Sequence, residues 1–252
     1  MTMALFGVCM LLSWGMTVSH LLSRGASIYT DGPFRAFRRP GVPRAVALLG
    51  GTLVMLGAIA SFVLWQSSVA AVIFLVVLGL YRQWERSQWP GDIVVNLGKY
   101  VPTATVLVAF LLGRWVAMAL SVEDPDHLGW QAACGAMGAT FTLAALSKWK
   151  EAGAAWFRGT GLQLLISERA WLVPEPVRGL RAAFGASPRL CTAMSIGAFG
   201  LEAFGFLFGV PQLRWVFFGL AATMLLGFWI LLGYWEIEWG LVVLALTLLS
   251  TT

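Results

Sequence analysis

Asp92, Asn96, Lys99 and Thr103 follow one another at steps of four, three and four residues inside an otherwise apolar run. At 100° per residue they form one narrow stripe on a helix, and Arg114 continues it within about 40° of Asp92. A charged side chain in the hydrocarbon core costs about 2.5–3.5 kcal/mol or more unless it is paired or reaches water. The stripe is therefore expected to face the interior of a bundle and to line a polar cavity, with Asp92 and Lys99 partnered through Asn96. Pro102 can kink this helix and free a carbonyl beside the stripe. A second reading stays open: Asp92 caps the helix at the membrane boundary after Pro90-Gly91, while Lys99 and Arg114 snorkel outward. Glu202 lies near the middle of another apolar run, Ser195 to Gly205. A carboxylate there must be protonated or paired, and Lys99 is the expected partner. It serves either a functional site or a helix-to-helix hydrogen bond, for which the neighbouring glycines permit close approach.

Other chemistries find little support. His20 and His127 are expected at opposite ends of the helices, so they cannot share a metal or ligate one haem. The run 215–235 has no lysine for a retinal Schiff base, and no P-loop, GxSxG or HExxH pattern occurs. Cys9, Cys134 and Cys191 are far apart, form no CxxC pair, and read as buried structural thiols.

The elements that must position these residues are transmembrane helices. Hydrophobic residues make up 59% of the 252 and charged ones 12%, with a mean hydropathy of +0.79. A spanning helix needs roughly 20 mainly apolar residues. Spans are expected at 2–22, 45–65, 68–81, 93–120, 130–147, 191–209 and 215–235. The chain thus reads as a single all-α membrane domain over 1–252, a polytopic bundle of about seven spans. Met1 to Leu22 lacks a basic leader and a cleavage site, so it reads as the first helix. Tyr81, Trp84 and Trp89 are expected to form an interfacial belt for the short third span. Gly240 to Leu249 is a further apolar run, either a half-helix or an eighth span. After Ser147-Lys148-Trp149-Lys150 comes an amphipathic stretch. Its Trp156, Leu162, Leu165 and Ile166 are expected to lie in the interface, with Arg158 and Arg169 towards headgroups.

Fourteen of the seventeen Lys and Arg residues fall in 23–44, 82–92 and 148–190. The other connections are 66–68, the acidic stretch 121–127, and 210–214. The positive-inside rule then places the N-terminus outside and the basic loops in the cytoplasm. The net charge of +5 reports this orientation and gives no support for nucleic-acid binding.

The segment Ala145-Leu146-Ser147-Lys148-Trp149-Lys150-Glu151-Ala152-Gly153-Ala154-Ala155-Trp156, followed by Gly161-Leu162, resembles a landmark of the HTTM superfamily. These are the vitamin K-dependent gamma-carboxylase-like membrane domains and their bacterial relatives. Tyr29-Thr30-Asp31-Gly32, Gly91-Asp92, and Leu201-Glu202 followed by Arg214 are similar to further landmarks in the same order. The resemblance implies a bacterial inner-membrane protein. Lys148 would stand where the carboxylases carry the base that starts hydroquinone oxidation, with Lys150 as its rival. Lys148 and Glu202 become the catalytic candidates, and Asp92, Asn96 and Lys99 the candidate cofactor cavity. The ligand would be a quinone-type molecule or a lipid, with no metal. The partner would be the bilayer and a membrane or secreted polypeptide whose maturation it serves. Many members carry a histidine in the late helix, where this chain reads Thr223 to Trp229. That departure favours a non-catalytic assembly or interaction subunit. A transporter is a third reading, and no inverted repeat is visible.

Overall fold

The computed structural model describes residues 2–23, 44–86, 102–168, 175–232 and 237–249. Asp92, Asn96, Lys99 and Trp89 lie outside the described residues. The described elements are helical throughout. They are α1 (Thr2–Ser23), α2 (Arg44–Trp65), α3 (Ser68–Arg86), α4 (Pro102–Ala119) and α5 (Pro125–Ala152). They continue with α6 (Thr160–Glu168), α7 (Glu175–Gly185), α8 (Pro188–Ala203), α9 (Arg214–Leu232) and α10 (Ile237–Leu249).

Three stretches are long and apolar enough to cross a bilayer: Ala45–Trp65, Pro102–Ala119 and Pro211–Leu231. Met3–Ser19, Ser68–Trp84 and Ile237–Leu249 are shorter apolar helices. The outer surface carries large apolar side chains, among them Leu53, Leu64, Trp65, Val69 and Val216. Lipid suits such a surface better than water does.

The longest element, α5, organises the rest. Asp124 caps its start by accepting from the His127 N–H at 2.9 Å, and Pro125 occupies the first turn. Its longest packing partner is α4. Between them Phe110 lies 4.3 Å from Trp130, ring to ring, and Phe6 of α1 meets the same Trp130 edge-on at 5.4 Å. Buried side chains from α1, α2, α3, α4, α5, α9 and α10 form one continuous core.

Several expectations change here. The run 191–209 is not one helix: α8 stops at Ala203 and the chain continues as a 3₁₀ turn, Gly205–Gly209. This turn lies in backbone contact with α5. A Cβ on Gly138 would fall 2.5 Å from the Gly205 carbonyl oxygen, and one on Gly205 would fall 2.5 Å from Phe141 Cβ. Only bare backbone fits at that crossing, and the Phe206 N–H finds Thr142 Oγ1 at 3.1 Å. The third helix runs to Arg86, beyond the expected 81. Tyr81 and Trp84 do not form an interfacial belt. Both are buried, and the Tyr81 hydroxyl donates to the Ala47 carbonyl beneath Trp14. The final apolar run is a separate 13-residue helix, about 20 Å long at 1.5 Å per residue and so shorter than the hydrocarbon core. Val242, Val243, Ala245 and Leu246 bury it in the core.

Candidate functional site

The packing of α8 against α5 puts Lys148 and Glu202 together. Lys148 projects from the C-terminal part of α5, and Glu202 from the last turn of α8. The crossing at Gly138 and Gly205 fixes the height at which α8 ends against α5. The Lys148 ammonium contacts both carboxylate oxygens of Glu202. The Glu202 side chain is 6% exposed and that of Lys148 is 23% exposed. After α5 the chain turns at Gly153, whose φ of +52° favours glycine, and enters the 3₁₀ segment Gly153–Arg158. This return brings Trp156 over Lys148, with Nζ 5.0 Å from the ring centroid. A carboxylate on one side and an aromatic face on the other are the two surroundings a cation takes in a dry site. Phe157 packs edge-on against Phe199 at 5.0 Å and pins the 3₁₀ segment to α8. The indole N–H of Trp156 is shielded and has no acceptor among the described residues.

Two hollows meet at Lys148, and Glu202 lines the second of them. One, of about 290 Å³, lies between α8 and α9 and reaches Leu162 of α6. The other, of about 210 Å³, lies among α5, α9 and Trp239 of α10. Lys148, Met224 and Phe228 line both. Most of the lining is apolar, so the Lys148 ammonium is the strongest polar feature the first hollow offers, and the ion pair that of the second. An amphiphile could lay its tail along the α8–α9 hollow and bring a carbonyl or hydroxyl to the ammonium.

Sequence expectations fare unevenly at this site. Lys148 and Glu202 were nominated for separate reasons, and the fold joins them. The expected partner of Glu202 was Lys99, but its partner among the described residues is Lys148. Lys99 lies outside them, as do Asp92 and Asn96, so the proposed cavity of those three residues has no description. Arg114 itself is partnered at the far end of α4. Its Nε sits 2.8 Å from Asp126 and its Nη1 donates to the Gln66 carbonyl at 2.6 Å. The amphipathic stretch also differs from expectation. Ile166 is buried with Cys191 and Leu231, and Leu162 and Leu165 pack on that cluster, so α6 lies against protein.

Glu238 and Arg214 are two further buried polar groups; Arg214 is among the landmarks of the resemblance and Glu238 is not. Glu238, 5% exposed, accepts from the Thr103 hydroxyl at 2.7 Å and more weakly from its N–H at 3.4 Å. It thereby holds the start of α4 against α10, where the buried Ser13 and Cys9 of α1 also converge. The signal in the sequence was an acid in the first turn of an apolar helix, flanked by Trp235 and Trp239. Arg214 is fully buried. It donates to the Phe208 carbonyl at 3.1 Å, to the Gly209 carbonyl at 3.3 Å, and to the Gln131 side chain. Arg114 ties the 66–67 connection to Asp126 at the start of α5, and Arg214 ties the 3₁₀ turn at Phe208 and Gly209 to Gln131 of α5.

Comparison with protein-family models, curated proteins and solved structures finds no match for the chain.

Proposed function

We propose that this is an HTTM-like integral membrane protein of about seven spans that binds a quinone-type or lipid ligand at Lys148. The single observation that carries the reading is the Lys148–Glu202 pair, whose lysine lies where two apolar hollows meet. Lys148, Trp156 and Glu202 are three of the residues behind the family resemblance. They come from separate segments, and their meeting at one point supports it. The α1, α3 and α5 helices, of 22, 19 and 28 residues, supply further long elements beside the three helices long and apolar enough to span. The fourteen clustered basic residues support an inner-membrane placement with the N-terminus outside.

The pair suits base chemistry in one specific way. A lysine accepts a proton only as the neutral amine. Passing one proton from Nζ to Glu202 leaves a neutral amine beside a neutral acid, with no net charge created in the apolar site. The amine could then take a proton from an acidic hydroxyl such as that of a hydroquinone. The product would serve maturation of a partner polypeptide.

Arginine at position 148 tests this reading. It keeps the charge and the carboxylate contact, but in practice does not lose its proton. Lys148→Arg should therefore remain as abundant as wild type and yet reproduce the growth phenotype of a deletion strain. Wild-type growth with Lys148→Arg would remove the base and leave a non-catalytic assembly subunit as the better account.

A further inference from the structure

We infer that the crevice between α8 and α9 is a side entrance, through which one hydrocarbon chain passes from the bilayer to the Lys148–Glu202 pair. The inference rests on the ligand-site reading above and adds a route and a pair of residues that keep it open. The crevice runs from Leu231 and Met194 at one end to Leu220 and Leu201 at the other. Eleven residues of α9 separate its ends, roughly 16 Å at 1.5 Å per residue. Its floor carries the Lys148 side chain, and its walls are otherwise almost wholly apolar.

Glycine makes the gap. Gly197 of α8 and Gly227 of α9 both line the crevice, and a Cβ built on either meets nothing within 4 Å. Glycines at a membrane helix contact normally let two backbones touch. Gly138 and Gly205 do so in this same molecule, with a built Cβ 2.5 Å from neighbouring atoms. Gly197 and Gly227 do the reverse, leaving width for a third apolar body. The ends of the crevice also differ. Near Leu231 it is backed by Leu162 of α6, and near Leu201, the residue before Glu202, it reaches Lys148. A chain lying along it therefore brings its head to Lys148. The paired charges sum to zero, so a neutral head fits without adding a buried charge.

Gly219 supplies a matched control. It sits on α9, is equally open, and does not line the crevice. The full chain is placed in phosphatidylcholine nanodiscs with monooleoylglycerol carrying a diazirine in its acyl chain. After illumination, cross-links are mapped by mass spectrometry. Wild type and Gly219→Leu should label within residues 194–201 and 220–231. Gly227→Leu should lose about tenfold of that labelling, as expected when a leucine side chain displaces two or so methylenes of the tail. Equal labelling of Gly227→Leu and Gly219→Leu overturns the entrance. A Lys148→Met arm separates this failure from failure of the ligand site. Labelling that survives Gly227→Leu but is lost in Lys148→Met means the site stands and the route is wrong. Labelling lost in Gly227→Leu but kept in Lys148→Met means the crevice holds a chain whose head is not at Lys148.

Discussion

Cutting the Lys148–Glu202 pair from its two sides should not cost the same. Lys148→Met leaves a carboxylate only 6% exposed, with no other described partner and apolar residues around it. Breaking a buried pair in this way costs about 3–5 kcal/mol, and we expect about 3 here because a methionine fills most of the vacated space. Glu202→Met leaves the lysine instead. Its side chain is 23% exposed, keeps the Trp156 face, and can swing its ammonium towards headgroups. That change should cost about 1 kcal/mol, the worth of an ordinary hydrogen bond. The double variant removes both charges. It should lie at or below about 2 kcal/mol, because an apolar replacement of a buried pair is often nearly neutral. The coupling is then about 2 kcal/mol, well above the 0.5 kcal/mol scatter of independent sites. Reversible unfolding in mixed detergent micelles, followed by tryptophan fluorescence, measures all four proteins. Equal losses for the two single variants, or a double variant equal to their sum, would refute the reasoning.

Thr103→Val should lose about 1.5–3 kcal/mol in the same assay, because the Glu238 carboxylate loses its hydroxyl donor, whereas Thr103→Ser should stay near wild type. Gly138→Val should destabilise by more than about 2 kcal/mol, since its Cβ would sit 2.5 Å from a backbone oxygen that cannot move without shifting the turn before α9. Asp126→Asn should cost no more than about 1 kcal/mol, with a difference that shrinks at high salt, because both partners of the Arg114 pair are part-exposed.

Helix content was legible because membrane spans leave a coarse signal, a long run of apolar residues. The positions of single polar groups were legible for the same reason, since few occur in such runs. Their pairing was not. Lys148 and Glu202 are 54 positions apart, and their meeting depends on a helix stopping at Ala203 so that Gly205 can lie on Gly138. That stop carries no proline, and Glu202 beside it reads from the sequence as an acid in mid-span. The run 191–209 is otherwise mostly apolar, so tertiary contact overrides the local pattern. The partners of Arg114 were not legible for a different reason. Helical phase places a side chain around the axis, but a long arginine stem near a helix end reaches along it, here to Gln66 and Asp126. Tyr81 and Trp84 show the limit of composition rules: an aromatic residue near a basic helix end suits an interface, yet here Trp14, Ala47 and Gly51 form a protein slot for it. Glu238 escaped notice because two tryptophans beside an acid look like a membrane boundary.

Direct identification of what Lys148 holds tests the account most closely. The wild-type chain and Lys148→Met, purified in the same mild detergent, would be extracted and their bound lipids and quinones compared by mass spectrometry. The account predicts one quinone-type or neutral lipid species enriched with the wild-type chain and lost from Lys148→Met. Extracts that match each other, with no species enriched over the bulk membrane in either, would contradict it.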